Sequence, residues 1–201
     1  LSGPSFSNEV SQSLPTAVTL ATKDKKDFEN ISKLIPNKEF RIYYSNDLIG
    51  TQIGGALKNI YAIAAGIAEG LNLGENAKSA LISRSFAEMA RYAKKFKADK
   101  NTLFGLSGLG DLILTCSSKN SRNTQFGIKL ASSKYDNFLD LLKSQEVTEG
   151  YYTVKAVYNI SQKKNIDMPI MESVYNILYK QHDLKEELSN LLSRPIKEEK
   201  I

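Results

Sequence analysis

The stretch Ile53-Gly-Gly-Ala-Leu-Lys-Asn-Ile-Tyr-Ala-Ile-Ala-Ala-Gly-Ile-Ala68 carries a single charge, Lys58, in a segment whose other residues are small or apolar nearly all round. A helix apolar on every side is a buried helix, so this segment predicts the centre of a helical domain. Working outward, Ile53, Leu57, Ile60, Ala64 and Ile67 keep the helical period, and Ile82, Phe86, Met89, Ala93 and Phe96 continue it in a second helix. Later helices are predicted at Phe138 to Lys143, at Glu149 to Lys164 with a stop near Asp167-Met168-Pro169, at Ile170 to Lys180 and at Leu184 to Leu192. No convincing strand follows Asp47, and residues 47–201 read as an all-α domain.

Upstream the pattern changes. Thr16 to Ala21 (TAVTLA) and Phe40 to Tyr44 (FRIYY) are β-prone, and between them Asp24 to Ile35 repeats apolar residues at Phe28, Ile31, Leu34 and Ile35. That is one β-α-β unit. Two strands do not bury both faces of a parallel sheet, so residues 1–46 read as the remnant of a larger α/β domain. The chain opens on Leu1 inside an apparent turn, Ser2-Gly3-Pro4-Ser5, in keeping with a piece of a longer protein.

Composition removes several chemistries. With 201 residues, 41% of them apolar, the chain can bury a real core. One cysteine, Cys116, and one histidine, His182, build neither a disulfide framework nor a structural zinc site, so no metal site is expected. Cys116 has no helper residue beside it and His182 lies at a polar helix junction; both are expected to be inert. No uncharged apolar run reaches the ~18 residues needed to span a bilayer, and the N-terminus lacks signal-peptide character. A soluble protein of the reducing cytoplasm is the expectation.

Chemistry points to two places. Lysine is almost never fully buried without a partner, and desolvation moves its pKa toward values useful for proton transfer; the alternative is that Lys58 lies at the helix edge with its ammonium in water. The second place is Gly105 to Asn123, GLSGLGDLILTCSSKNSRN. Its glycines fall as G-x-x-G-x-G after no strand, so it fails as a dinucleotide loop. It offers Asp111 after a glycine turn, then a polar loop from Thr115 to Asn123 leading into a helix. Arginine suits bidentate phosphate recognition and backbone N–H groups at a helix start favour anions, so Ser121, Arg122 and Asn123 form a phosphate grip; an ordinary capped turn with a surface arginine is the other reading. Arg91, Lys94, Lys95, Lys97 and Lys100 crowd ten residues, which leaves open a non-catalytic basic helical module for nucleic acid or an acidic partner. Glu88 and Asp99 dilute this charge and no aromatic interleaving fits a base-stacking surface, which favours a solvated face.

Together these residues resemble the C-terminal two-thirds of the bacterial NAD(P)-dependent glycerol-3-phosphate dehydrogenase family. SGPSF at the start, IGTQIGGALKNIYAIAAGIAEGL, the LISR and FAEM segments, GLSGLGDLILTCSSKNSRN and VTEGYYT follow in family order across essentially the whole chain. The resemblance implies a helical C-terminal domain of the 6-phosphogluconate-dehydrogenase kind after the last strands of a nucleotide-binding domain. It implies interconversion of dihydroxyacetone phosphate and sn-glycerol 3-phosphate with NAD or NADP. By resemblance Lys58 is the catalytic lysine exchanging a proton with the C2 oxygen. Gly3, Ser5, Asn59, Asp111, Ser121, Arg122 and Asn123 lie on the substrate side, and Ser7, Arg122, Val147 and Glu149 touch the cofactor. The family usually has alanine where Ser7 stands. The glycine-rich pyrophosphate loop is expected upstream of Leu1, so these 201 residues alone are expected to be inactive. The partner implied is a phosphorylated small molecule, with neither nucleic acid nor membrane span; oligomeric state is left open, a homodimer being compatible. A buried ammonium in an apolar helix also predicts that Lys58→Met leaves stability unchanged or improved.

Overall fold

A computed structural model describes residues 1–35, 38–132, 148–195 and 198. The helix predicted at Phe138 to Lys143 and the site residue Val147 lie outside these. The fold is mainly α. Short helix α1 (Ser7–Ser11) precedes β1 (Thr16–Ala21), α2 (Lys25–Lys33) and β2 (Phe40–Ser45). β1 and β2 pair in parallel from Thr16 opposite Phe40 to Ala21 opposite Ser45, which is the expected β-α-β unit. Ser2 adds an antiparallel bridge to Thr19, and this fastens the opening turn along β1.

The long helix α3 (Leu48–Gly70) begins where Asp47 accepts a hydrogen bond from the Gly50 N–H at 2.8 Å, an N-cap of the preferred residue type. Its centre is the core of the domain: Leu57, Ile60, Tyr61, Ile63 and Ala65 are essentially inaccessible, each large side chain contributing about 1.5–3 kcal/mol by burial. Around it stand α4 (Glu75–Lys95), α5 (Lys100–Phe104), a π-helical turn (Leu106–Gly110), α6 (Asp111–Ser117) and α7 (Arg122–Ser132). After residue 147 follow α8 (Glu149–Lys164), α9 (Pro169–Lys180) and α10 (Leu184–Leu192).

The approach of α3 to α7 sets the site. A Cβ added to Gly66 would lie 2.1 Å from the Thr124 carbonyl oxygen, and one added to Gly127 would lie 2.2 Å from that of Ile63. Only glycine allows backbones this close. With Asn59 bonded to Asn123 and Gly66 against Gly127, the two helices run in the same direction, and the start of α7 is delivered beside Lys58.

One local expectation is corrected. The polar loop expected from Thr115 to Asn123 is helical as far as Ser117, and only residues 118–121 are non-helical. Leu112 and Cys116 are buried on the inner face of α6, and the Thr115 hydroxyl donates to the Asp111 carbonyl at 2.6 Å, so the polar residues do not compete with the helix. The five-residue helices α1 and α5 are additional to the sequence expectation.

Candidate functional site

Lys58 lies on α3 one residue before Asn59, and Asp111 is the first residue of α6. The Lys58 ammonium donates to Asp111 Oδ2 at 2.6 Å; the lysine side chain keeps 22% exposure and the carboxylate 3%. Lys58 is thus neither sealed in the core nor stretched into bulk water: it stands on the floor of a polar recess with a charged partner. Burial pushes the Asp111 carboxyl above its ordinary range, opposed by Lys58, by the Thr115 hydroxyl and by the Gly3 backbone N–H. Thr115 Oγ1 lies 3.2 Å from Asp111 Oδ1, so both carboxylate oxygens are held.

Beside this pair runs an amide chain. Asn59 Nδ2 donates to Glu149 Oε2 at 3.2 Å, Asn123 Nδ2 donates to Asn59 Oδ1 at 3.1 Å, and the Gly150 N–H donates to Asn123 Oδ1 at 3.0 Å. α3, α7 and α8 are tied together at the recess by side chains rather than by apolar packing. Asn123 also supplies the first turn of α8 with the acceptor that its N-cap, Thr148, does not provide. Ser121 caps α7, accepting from the Thr124 N–H at 3.2 Å. Arg122 is exposed, its guanidinium 3.6 Å from Glu149, itself exposed. The capped turn and surface arginine of the plainer reading are therefore present. They stand at the mouth of the recess, where two helix N-termini converge and favour negative charge.

The recess has a volume of about 500 Å³, and Gly3, Ser5, Ser7, Lys58, Asn59, Asp111, Ser121, Arg122, Asn123 and Glu149 all line it. Every described residue assigned to the site from the sequence is thus gathered in one place. Gly3 sits at φ +143° with its Cα against Val18, where a Cβ would approach the Val18 Cα to 3.0 Å; a side chain there is strained and crowded. Thr115, which fixes Asp111, was missed; its spacing of four from Asp111 on one helix was the available signal.

The remaining singled-out residues lie elsewhere. Cys116 is fully buried and burial pushes its thiol up to about 12, which removes the thiolate a nucleophile requires. His182 Nδ1 is 2.7 Å from Glu187 Oε1 at the α9–α10 junction. Arg91 donates to the Asp167 carbonyl at 2.8 Å, and the Lys100 ammonium lies over Phe104. Among the described residues no helix is long and apolar enough to cross a membrane.

The arrangement defines a helical domain with a lysine–carboxylate pair at the floor of a polar recess, attached to a parallel β-α-β unit. Residues 47–189 match the family model described as NAD-dependent glycerol-3-phosphate dehydrogenase C-terminus, and the chain belongs to that family. It is 48% identical over 200 residues to a glycerol-3-phosphate dehydrogenase [NAD(P)+] of Solidesulfovibrio magneticus and 44% identical to one of Francisella tularensis. Each alignment takes in 99% of this chain, which spans 60% of the length of these relatives. The crystal structure of glycerol-3-phosphate dehydrogenase from Coxiella burnetii superposes with a TM-score of 0.90 at 39% identity, covering 96% of this chain and 59% of that one. That from Saccharomyces cerevisiae gives 0.82 at 28% identity, covering 96% and 58%.

Proposed function

We propose that the protein to which this chain belongs interconverts dihydroxyacetone phosphate and sn-glycerol 3-phosphate using NAD(P)H or NAD(P)+. Residues 47–201 act as the substrate domain and residues 1–46 belong to the nucleotide-binding domain. The observation that carries the reading is the Lys58–Asp111 pair at the floor of a recess whose mouth holds Arg122 and the starts of α7 and α8.

In this reading Lys58 donates its proton to the C2 oxygen as the ketone becomes an alkoxide, and recovers it in the reverse direction. Asp111 fixes the ammonium in place at the floor of the recess. Arg122, the Ser121 hydroxyl and the N-terminus of α7 hold the substrate phosphate, Arg122 by charge-assisted hydrogen bonds. Asn59 and Asn123 set the spacing between the phosphate end and the reacting carbon, while Gly3 and Ser5 wall the recess from the β1 side.

Ser7, Arg122 and Glu149 line the open side of the recess, with Arg122 and Glu149 exposed. Polar, accessible side chains there fit a nicotinamide group lying against the substrate, and Val147 is assigned with them by resemblance. When bound, the nicotinamide supplies or accepts the hydride at C2. The reading includes a cytoplasmic location, supported by a single free, buried thiol, and is compatible with a homodimer. The deciding experiment is dihydroxyacetone phosphate-dependent oxidation of NAD(P)H by the whole protein, compared with its Lys58→Met variant. Turnover in the first and its loss in the second are expected; equal turnover would remove Lys58 from the mechanism.

A further inference from the structure

A stack of tyrosines fills the seam between α8 and α9. The rings of Tyr158 and Tyr175 lie 3.7 Å apart and within 4° of parallel, Tyr175 meets Tyr179 at 5.2 Å, and Tyr179 meets Tyr151 at 4.8 Å. Since Tyr151 pairs with Tyr179 and Tyr158 with Tyr175, the two helices run in opposite directions, and the end of α9 lies beside the beginning of α8. The Lys155 ammonium stands 5.4 Å from the centre of the Tyr179 ring. Stacking and cation–π contacts of this kind hold a ring in one orientation.

The Tyr179 hydroxyl donates to the Tyr151 carbonyl at 2.8 Å. Burial, with Tyr151 beside it, raises this hydroxyl above the ordinary tyrosine range, so it stays a donor at any working pH. The carbonyl belongs to the first turn of α8, and that turn bears directly on the recess. Glu149 opens it, bonded to Asn59 and 3.6 Å from Arg122. The Gly150 N–H donates to Asn123, and a Cβ added to Gly150 would lie 2.6 Å from the Asn59 carbonyl oxygen. Thr148 gives the turn no side-chain cap, and helix ends fray unless outside groups hold them. Asn123 holds this one on the recess side and Tyr179 holds it on the other, although Tyr179 does not line the recess.

We propose that Tyr179 is a positioning residue for the cofactor side of the recess, its hydroxyl fixing the first turn of α8 so that Glu149 stands where the nicotinamide group meets the substrate. This role rests on the dehydrogenase reading of the recess. Lys58 is held by Asp111 of α6 without any part of α8 in the contact, so loss of the Tyr179 hydroxyl should disturb cofactor binding and spare proton transfer.

Steady-state kinetics of the whole protein and its Tyr179→Phe variant test this, with dihydroxyacetone phosphate and NAD(P)H each varied. Phenylalanine keeps the ring and its stacking and removes only the hydroxyl. KM for NAD(P)H is expected to rise about three- to tenfold, the worth of one neutral hydrogen bond, while KM for dihydroxyacetone phosphate and kcat stay nearly constant. Tyr175→Phe makes the same change one ring further along the stack and is expected to leave both KM values as they are. In a Glu149→Gln background the effect of Tyr179→Phe should shrink, because both changes act on one contact. Amide hydrogen exchange of the cofactor-free protein gives a readout without turnover: the Gly150 and Tyr151 N–H groups are expected to exchange about three- to tenfold faster in Tyr179→Phe and at the wild-type rate in Tyr175→Phe. Unchanged exchange or an unchanged cofactor KM in Tyr179→Phe, an equal rise of both KM values, an equal response in Tyr175→Phe, or an undiminished effect in Glu149→Gln would overturn the role of Tyr179 and leave the dehydrogenase reading in place. A whole protein without turnover would overturn both.

Discussion

Lys58 Nζ and Asp111 Oδ2 stand 2.6 Å apart, and of the two it is the carboxylate that is the more deeply buried. This reverses the stability argument made from the sequence, in which removing a desolvated ammonium relieves a cost. Breaking a buried pair from one side leaves the other charge uncompensated. Lys58→Met is therefore expected to cut kcat by ~10²–10⁴ and also to destabilise the fold by about 1–3 kcal/mol at neutral pH. The Asp111 carboxyl is already raised by burial, so its ionisation weakens the fold as pH rises above the ordinary aspartate range; without Lys58 that loss is larger. The difference in melting temperature between wild type and variant should shrink as pH falls and Asp111 takes up a proton. A melt of the variant equal to wild type at neutral pH would show that the pair does not hold the fold.

Arg122→Ala is expected to weaken phosphate-bearing substrates by about 10- to 100-fold through loss of charge-assisted hydrogen bonds. A non-phosphorylated analogue should be nearly indifferent. Stability should change by no more than about 0.5 kcal/mol, because Arg122 is exposed and its contact with Glu149 is long, at 3.6 Å. Steady-state KM values for the two substrates make the distinction: an equal loss for both would make Arg122 a structural residue.

The parts of the fold that could be read from the sequence are those with long, regular patterns. α3 and α4 run for 23 and 21 residues with an apolar period, and the β-α-β unit shows its alternation of types. α1 and α5, of five residues each, are shorter than two turns and carry no period of their own. In the site, Lys58 stood out because a lone charge interrupts an apolar run. Asp111 was picked out on its own stretch, but its pairing with Lys58 was not, because 53 residues separate the two and no local pattern encodes that meeting. Asn123 was read as part of a phosphate grip and Glu149 entered through family resemblance alone; the hydrogen bonds that join them through Asn59 depend on the close crossing of α3 and α7, a tertiary fact. Glu88 was read only as dilution of a basic patch, although α9 starting at Met168-Pro169 without a polar N-cap indicated that a cap had to come from elsewhere.

Asn123 joins three elements with one side chain, donating to Asn59 and accepting from the Gly150 N–H. Asn123→Asp keeps the acceptor for Gly150 but sets an anion against Asn59 Oδ1, whose Nδ2 is committed to Glu149. A destabilisation of about 1–3 kcal/mol is expected, with a fall in kcat larger than for Asn123→Ser, which restores an acceptor without the charge. Denaturant midpoints and kcat for the two variants check this. Aspartate tolerated as well as serine would mean that the amide chain does not set the geometry of the recess.

Glu88 offers a pH signature that reaches higher than the ordinary carboxylate range. Its carboxylate is 1% exposed and accepts from the N–H groups of Ile170 at 2.6 Å and Met171 at 3.1 Å, capping α9 from α4. Burial raises its pKa from the ordinary carboxylate value to about 7, although these two hydrogen bonds, Arg91 and Tyr61 all pull it down. A protonated Glu88 keeps both N–H acceptors and can turn its new O–H to the Tyr61 oxygen, 3.3 Å away. Because the folded value lies above the unfolded one, the contribution is fully present below about pH 4.5 and is lost as pH rises through about 7, a swing on the order of 3 kcal/mol. Melting temperature is thus expected to fall between pH 5 and pH 8 in the intact protein, each measured at constant ionic strength. Glu88→Gln cannot ionise at this position, so its melt should be lower throughout, since an amide N–H₂ now faces one of the α9 donors, yet its fall across the same interval should be shallower than in the wild type. If the full slope survived in Glu88→Gln, another group would be titrating and Glu88 would not carry the pH dependence.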